Sequence, residues 1–215
     1  MKVQTKMHPS SVIKGVYALT PDNLNTEDLL LRVRQVLKGG VQVLQYRNKA
    51  ADAALRLAQA QALRTLTRMF GVTFIVNDDA QLAATVDADG VHLGAADGEV
   101  DAARGILGSN KLIGVSCYNR LQLARDAVVT GADYVAFGAF YSSTVKPEAV
   151  VALPALLHEA RAELSVPIVA IGGITAENGA VLVQAGANAL AVISAVFDAA
   201  DIQRSVQDLN NLFRK

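Results

Sequence analysis

The 215-residue sequence predicts a single α/β domain, a (β/α)8 TIM barrel, on three observations. Eight short apolar runs alternate with helix-length segments along the chain. Each run is continuously apolar, as strands are when both sheet faces are covered, instead of alternating apolar and polar. No linker-like or low-complexity stretch divides the chain, and one such barrel often takes about 200–250 residues. An open doubly wound sheet is the alternative that the same pattern admits.

Residues 1–13 read as a loose leader, which leaves 14–215 for the barrel. The first strand is expected at 16–19, stopped by Thr20-Pro21-Asp22. Thr26 is expected to cap a helix that runs to Lys38 and stops at Gly39-Gly40. Strand two is expected at 41–44, and a long Ala/Leu/Arg helix at 51–70 is closed by Gly71. Strand three, 73–76, ends in Asn77-Asp78-Asp79, and a short helix then reaches residue 86. Strand four, 90–93, is followed by Gly94 and Asp97, and another short helix leads to strand five, 112–115, ending in Ser116. A helix over 121–130 precedes strand six, 134–137, and a polar loop runs from Gly138 to Glu148. A helix over 154–164 leads to strand seven, 168–171, which ends in Gly172-Gly173. Thr175 is expected to cap a helix reaching 185, with strand eight at 189–193 and a last helix at 199–213.

Composition narrows the function classes. The chain is 52% hydrophobic and 19% charged, so a large core is available. Aromatics make up 5% with no Trp, which suits helix–sheet packing better than base stacking on single-stranded nucleic acid. Twenty basic and twenty acidic residues cancel, and no long basic run occurs, which argues against nucleic acid and anionic membrane as partners. Cys117 is the only cysteine, so no intramolecular disulfide can form, and it reads as a small buried filler. No apolar run has the length of a signal peptide or a membrane span. A soluble cytoplasmic protein is the expectation, with a homo-oligomer compatible.

In such barrels the site lies at the carboxyl ends of the strands, where most polar features of this chain fall. Gln45, Arg47 and Lys49 are spaced two apart, which sends three side chains to one side if the chain stays extended. An amide, a forked guanidinium and an ammonium suit an anion with several oxygens. Asp78 and Asp97 end or follow neighbouring strands, and two carboxylates with phosphate and water suit Mg2+. Asp79 is expected instead to cap the next helix. Gly172-Gly173 and Ile193-Ser194 match the phosphate pocket after the last two strands. Lys146 stands in the long loop with Ser142, Ser143 and Thr144 as hydroxyl donors. There are thus two expected anion sites. His8 and His158 lie away from strand ends, and His92 reads as a packed structural histidine. Little is left for acid–base chemistry, so charge neutralisation and positioning are the expected means of catalysis.

Gln45-Tyr46-Arg47-Asn48-Lys49, Ile75-Val76-Asn77-Asp78, Val91-His92-Leu93-Gly94, Gly114-Val115-Ser116, Ala170-Ile171-Gly172-Gly173-Ile174 and Val192-Ile193-Ser194 occur in that order. Together they resemble the thiamine-phosphate synthase family from about Gly15 to the C-terminus. The resemblance implies that a pyrimidinylmethyl diphosphate and a thiazole ethyl phosphate are joined, with release of diphosphate. It implies that Gln45, Tyr46, Arg47, Asn48, Lys49, Asn77 and Ser116 hold the pyrimidine diphosphate, and that Asp78 and Asp97 bind Mg2+. It assigns the thiazole phosphate to Ser143, Thr144, Val145, Gly172, Gly173, Ile193 and Ser194. Lys146 would reach the diphosphate, making Lys146, Arg47 and Ser116 the catalytic set.

The chain departs from that pattern in places. The family's loop reads Pro-Thr-x-Thr-Lys, whereas Ser142-Ser143-Thr144-Val145-Lys146 stands here, and Val145 lacks the hydroxyl. Asn48 stands where the family often has an acid, and Ala95 where it has Gln. A thiazole tautomerase of related fold and a non-catalytic thiazole-phosphate binder are the rival readings. Arg47, Lys49, Asp78 and Asp97 weigh against the tautomerase, which has no diphosphate to grip.

Overall fold

Parallel strands covered on both faces need apolar residues at every position, and the continuous runs become such strands. The computed structural model describes residues 9–22, 24–94, 100–142 and 151–214. The chain begins with α1 (Pro9–Val12), β1 (Gly15–Leu19), α2 (Thr26–Lys38), β2 (Val43–Tyr46) and α3 (Ala53–Phe70). It continues with β3 (Thr73–Asn77), α4 (Ala80–Thr85), β4 (Gly90–Leu93), α5 (Val100–Leu107), β5 (Leu112–Tyr118) and α6 (Leu121–Val129). Then come β6 (Tyr134–Phe137), α7 (Pro154–Glu163), β7 (Ile168–Ile171), α8 (Ala180–Gln184), β8 (Ala189–Val192), α9 (Ser194–Phe197) and α10 (Ile202–Asn211). Each strand pairs in parallel with the next, and β8 closes on β1 through Tyr17↔Ala191, so the sheet is a closed barrel and not an open one. Among the described residues no helix is long and apolar enough to cross a membrane.

Strand alternation divides the core in two. Val16, Ala18, Leu44, Phe74, Val76, Val91, Ile113, Val135, Ile168 and Leu190 face outward and pack under the helices. Tyr17, Val43, Ile75, Leu112, Tyr134, Val169, Ala189 and Ala191 fill the interior. Gly114 makes room for one of these, since a Cβ there would lie 2.0 Å from the Tyr134 ring.

At the amino end of the barrel, four odd-numbered strands have an early N–H bonded to a side chain. That side chain comes from the residue just before the next strand. Gln42 Oε1 accepts from Val16 at 2.6 Å, Asp89 Oδ2 from Phe74 at 2.8 Å, Asp133 Oδ2 from Ile113 at 2.9 Å, and Asn188 Oδ1 from Ile168 at 2.9 Å. Arg64 grips Asp89 bidentately at 2.8 and 2.9 Å, and Arg104 donates to Asp133 at 2.6 Å.

Several expectations are corrected. Of the expected leader, residues 1–8 lie outside the described residues, while Pro9–Val12 form α1 and Ile13 is fully buried in the interior core. Strand two lies at Val43–Tyr46, two residues later than expected, because its register is set by pairing Tyr17↔Val43 and Val43↔Thr73. Asn25, not Thr26, caps α2, its Oδ1 accepting from Asp28 N at 2.9 Å. Thr175 does not begin a helix, because Asn178 draws residues 173–178 into a turn by bonding Thr175 N and Gly173 O. The last helix starts at Ile202, where Asp201 caps it. The expected caps that hold include Asp79, whose Oδ1 accepts from Leu82 N at 2.8 Å.

Candidate active site

All eight strands contribute to a cavity of about 500 Å³ over the barrel interior. It is open at the carboxyl ends, where strand-terminal side chains point inward with nothing to stack on.

At the end of β2 the alternation decides which residues face the cavity. Gln45 and Arg47 line it, while Tyr46 and Asn48 turn to the helix side. There the Tyr46 hydroxyl donates to Gln59 Oε1 at 2.9 Å and Asn48 Nδ2 donates to the same oxygen at 3.1 Å. Asn48 Oδ1 also accepts from Ala51 N. Burial pushes the Tyr46 phenol up to about 12, with Arg56 pulling it down and Asp22 adding to the rise. These two side chains shape the loop from behind instead of reaching into the main cavity.

The backbone of Arg47 is fixed by Thr20, whose hydroxyl donates to Arg47 O at 2.8 Å and accepts from Arg47 N at 2.9 Å. Asp22 takes the Arg47 guanidinium and the Lys49 N–H, so one carboxylate aims both cation-bearing residues. Lys49 Nζ lies 3.0 Å from Asp78 Oδ2.

Asn77 ends β3 facing the cavity, so an extended Asp78 would turn back toward the helices. Asp78 instead has φ 62, a left-handed conformation that Asp tolerates better than most residues. Its N–H still donates to His92 O at 2.8 Å. The strand therefore ends there with the carboxylate at the rim beside Lys49. Among the described residues no three His, Cys, Asp or Glu side chains gather into a metal cage. A rim carboxylate with a partner cation is still the hard-oxygen donor that Mg2+ uses beside phosphate. Asp97, the expected second ligand, lies outside the described residues, as do Ser143, Thr144, Val145 and Lys146.

Beneath the cavity runs a chain of buried polar groups. Gln45 Nε2 donates to the Tyr17 hydroxyl at 2.7 Å, and Tyr17 and Tyr134 hydroxyls are 2.9 Å apart. Tyr134 Oη lies 3.1 Å from His92 Nδ1, and His92 Nε2 lies 2.9 Å from Ser116 Oγ. Burial lowers the imidazole to about 4, with the Asp78 charge pulling the other way. Burial also raises both phenols well above their usual range. His92 is packed as expected, yet it also lines the cavity.

Across the cavity, Gly172 and Gly173 have φ 105 and 60. A Cβ on Gly172 would lie 2.3 Å from Ala139 Cβ, and one on Gly173 2.5 Å from Ser142 O. No other residue fits that close approach. Gly173, Ile193 and Ser194 face the cavity together, and α9 begins at Ser194, offering first-turn N–H groups. Cys117 lies on β5 in the core under the helices, its thiol pushed up to about 12 by burial.

Sequence reasoning missed Tyr17, Tyr134, Asp22 and Thr20. Tyr17 and Tyr134 sit inside apolar runs and read as core. Their inward parity, shared with Gln45, was the available signal. Tyr118, Asn119 and Arg120 at the mouth were also missed, because β5 runs to Tyr118, beyond its apolar run.

The chain is similar in sequence and fold to known proteins. The family profile described as thiamine monophosphate synthase matches residues 16–196. The chain is 55% identical to the thiamine-phosphate synthase of Thiobacillus denitrificans over 93% of this chain and 94% of that one. It is 52% identical to the thiamine-phosphate synthase of Methylobacillus flagellatus, over 96% and 98% of the two chains. The solved thiamine phosphate pyrophosphorylase from Pyrococcus furiosus superposes with a TM-score of 0.84 at 33% identity, over 94% of this chain and 96% of that one.

Proposed function

The chain belongs to the thiamine monophosphate synthase family and is a transferase of thiamine biosynthesis, and we propose how its own residues perform that transfer. The substrates are a 4-amino-2-methylpyrimidinylmethyl diphosphate and a 4-methylthiazole ethyl phosphate, and the products are thiamine phosphate and diphosphate. The observation that carries this reading is the division of the cavity. Arg47 with nearby Lys49 stands on one side, and the Gly173–Ser194 phosphate wall on the other.

The C–O bond of the pyrimidinylmethyl diphosphate breaks and its electron pair leaves on diphosphate. The resulting cation is stabilised by the ring's amino group. The thiazole nitrogen then supplies its lone pair to form the C–N bond. No proton moves, which accords with a neutral His92 beneath the cavity.

Arg47 and Lys49 neutralise the departing diphosphate, a preorganised electrostatic contribution. Asp22, already bonded to both residues, keeps them aimed. Gln45, Asn77 and Ser116 hold the pyrimidine end, and Lys146 assists departure. Gly172, Gly173, Ile193 and Ser194, with Ser143, Thr144 and Val145, take the thiazole phosphate. Asp78 and Asp97 would hold Mg2+, which when bound supplies positive charge to the diphosphate oxygens. A cytoplasmic setting accords with the single buried Cys117.

The test is diphosphate release by the purified protein with both substrates, with and without Mg2+. Metal-dependent release that requires both substrates supports the reading. Binding of the thiazole phosphate without any release would leave a phosphate-binding barrel and sink the transfer.

A further inference from the structure

The chain beneath the cavity has a property that none of its members has alone. Gln45 is 2% exposed, and its Oε1 is buried with no hydrogen-bond partner, while its Nε2 donates to Tyr17. A buried amide oxygen without a partner is destabilising, so a ligand group is its natural complement. At the other end, Ser116 Oγ reaches His92 and also lines the cavity.

Hydrogen-bond directions along the chain are not independent. When Gln45 Nε2 donates to Tyr17, the Tyr17 proton is left for Tyr134, and the Tyr134 proton goes to His92 Nδ1. A neutral imidazole that accepts at Nδ1 carries its proton on Nε2. It therefore donates to Ser116 Oγ, and the Ser116 hydroxyl proton is free to point into the cavity. Rotating the Gln45 amide reverses every link. Tyr17 then donates to Oε1, Tyr134 donates to Tyr17, and His92 Nδ1–H donates to Tyr134. Ser116 then donates to His92 Nε2, which leaves its oxygen as an acceptor, while the Gln45 amino group faces the ligand.

We propose that Tyr17, Tyr134 and His92 are positioning residues that couple Gln45 to Ser116. Through them the two cavity-facing ends always present one hydrogen-bond donor and one acceptor. The ligand this fits is a heteroaromatic ring carrying one of each. An aminopyrimidine is such a ring, with an exocyclic amine that donates and ring nitrogens that accept. The inference rests on the pyrimidine end lying against Gln45 and Ser116, and it adds why two tyrosines and a histidine are buried below. The relay moves no proton to the substrate and breaks no bond. It ties the two ends together, so that one donates to the ring whenever the other accepts.

The test is a factorial mutant cycle. Gln45→Met and Ser116→Ala are made singly and together, first in the unaltered chain and then with Tyr134→Phe, which cuts the relay while keeping the ring. KM is measured for each substrate. In the uncut chain each single change raises KM for the pyrimidine diphosphate about tenfold, and the pair raises it about fivefold less than the product. With Tyr134→Phe the two factors multiply. KM for the thiazole phosphate stays within about twofold throughout, which a general loosening of the barrel would not allow.

Tyr17→Phe cuts the same relay one link earlier and serves if Tyr134→Phe does not fold. Multiplicative factors in the uncut chain, or coupling that survives a cut, would overturn the proposal. Diphosphate release by the unaltered chain reports separately on the functional reading. Without release, the same cycle is read on the Kd of the pyrimidine diphosphate, where absence of binding sinks both ideas.

Discussion

The two ends of the barrel use similar residues to opposite ends. At the amino end, Gln42, Asp89, Asp133 and Asn188 each point at a strand N–H, and Arg64 and Arg104 hold the two acids. Those polar groups are spent on the backbone. At the carboxyl end, Gln45, Arg47, Asn77 and Ser116 face a cavity, with Gln45 Oε1 unpartnered. The lesson is that a polar residue at a strand end carries no function in itself. What matters is where the fold places it, since Arg47 and Ser116 also have partners, Asp22 and His92, yet line a cavity. Bonds to the backbone make the lower end a stabilising ring, and exposure to the cavity makes the upper end a binding site.

The largest expected effect breaks the lower end. Asp133→Ala removes an acceptor from Ile113 N and leaves Arg104 without its carboxylate. We expect a loss of about 3–5 kcal/mol in denaturant unfolding, with kcat/KM of the remaining folded protein unchanged. A fall in activity per folded molecule would mean that the two ends are not separate.

The complementary change is made above. Arg47→Ala or Asp78→Ala is expected to lower turnover about 100- to 1000-fold while the melting temperature moves little. Near-normal kcat in either variant would remove that residue from leaving-group departure.

His92 belongs to both descriptions, as a buried group that also lines the cavity. Its folded value of about 4 lies below the ordinary 6.5, so between those values the unfolded chain takes up the proton first. Stability from this group is therefore full above pH 6.5 and is lost as pH falls toward 4, by about 3 kcal/mol at most. Urea midpoints of the unaltered protein should fall more steeply over that window than those of His92→Gln. Parallel curves would mean that burial does not hold the ring neutral.

The smallest effect sharpens the comparison within one strand. Tyr46→Phe removes a hydroxyl bonded to Gln59 on the helix side. It should cost about 1 kcal/mol of stability and leave KM for the pyrimidine diphosphate unchanged. A raised KM would return Tyr46 to the substrate, as the sequence motif implied.

How legible was the site? Arg47, Asn77, Ser116, Gly173 and Ser194 could be named from their places after apolar runs, and the barrel brings all five to one cavity. Tyr46 and Asn48 were grouped with them because a motif is contiguous, whereas strand alternation sends neighbours to opposite faces. Asp22 and Thr20 escaped notice because they act on Arg47 from another strand end, 25 and 27 residues earlier in the chain.

By itself, the amino-acid order determined the barrel and the end at which chemistry occurs. Continuous apolar runs report burial on both faces, and polar strand ends report where that burial stops. Both signals are local, so they survive in one dimension. Tertiary structure alone decided the strand register, the left-handed turn at Asp78, and the union of Gln45, Tyr17, Tyr134, His92 and Ser116 into one relay. Those depend on parity and closure between segments up to 117 residues apart, and no local pattern encodes a distance across the barrel.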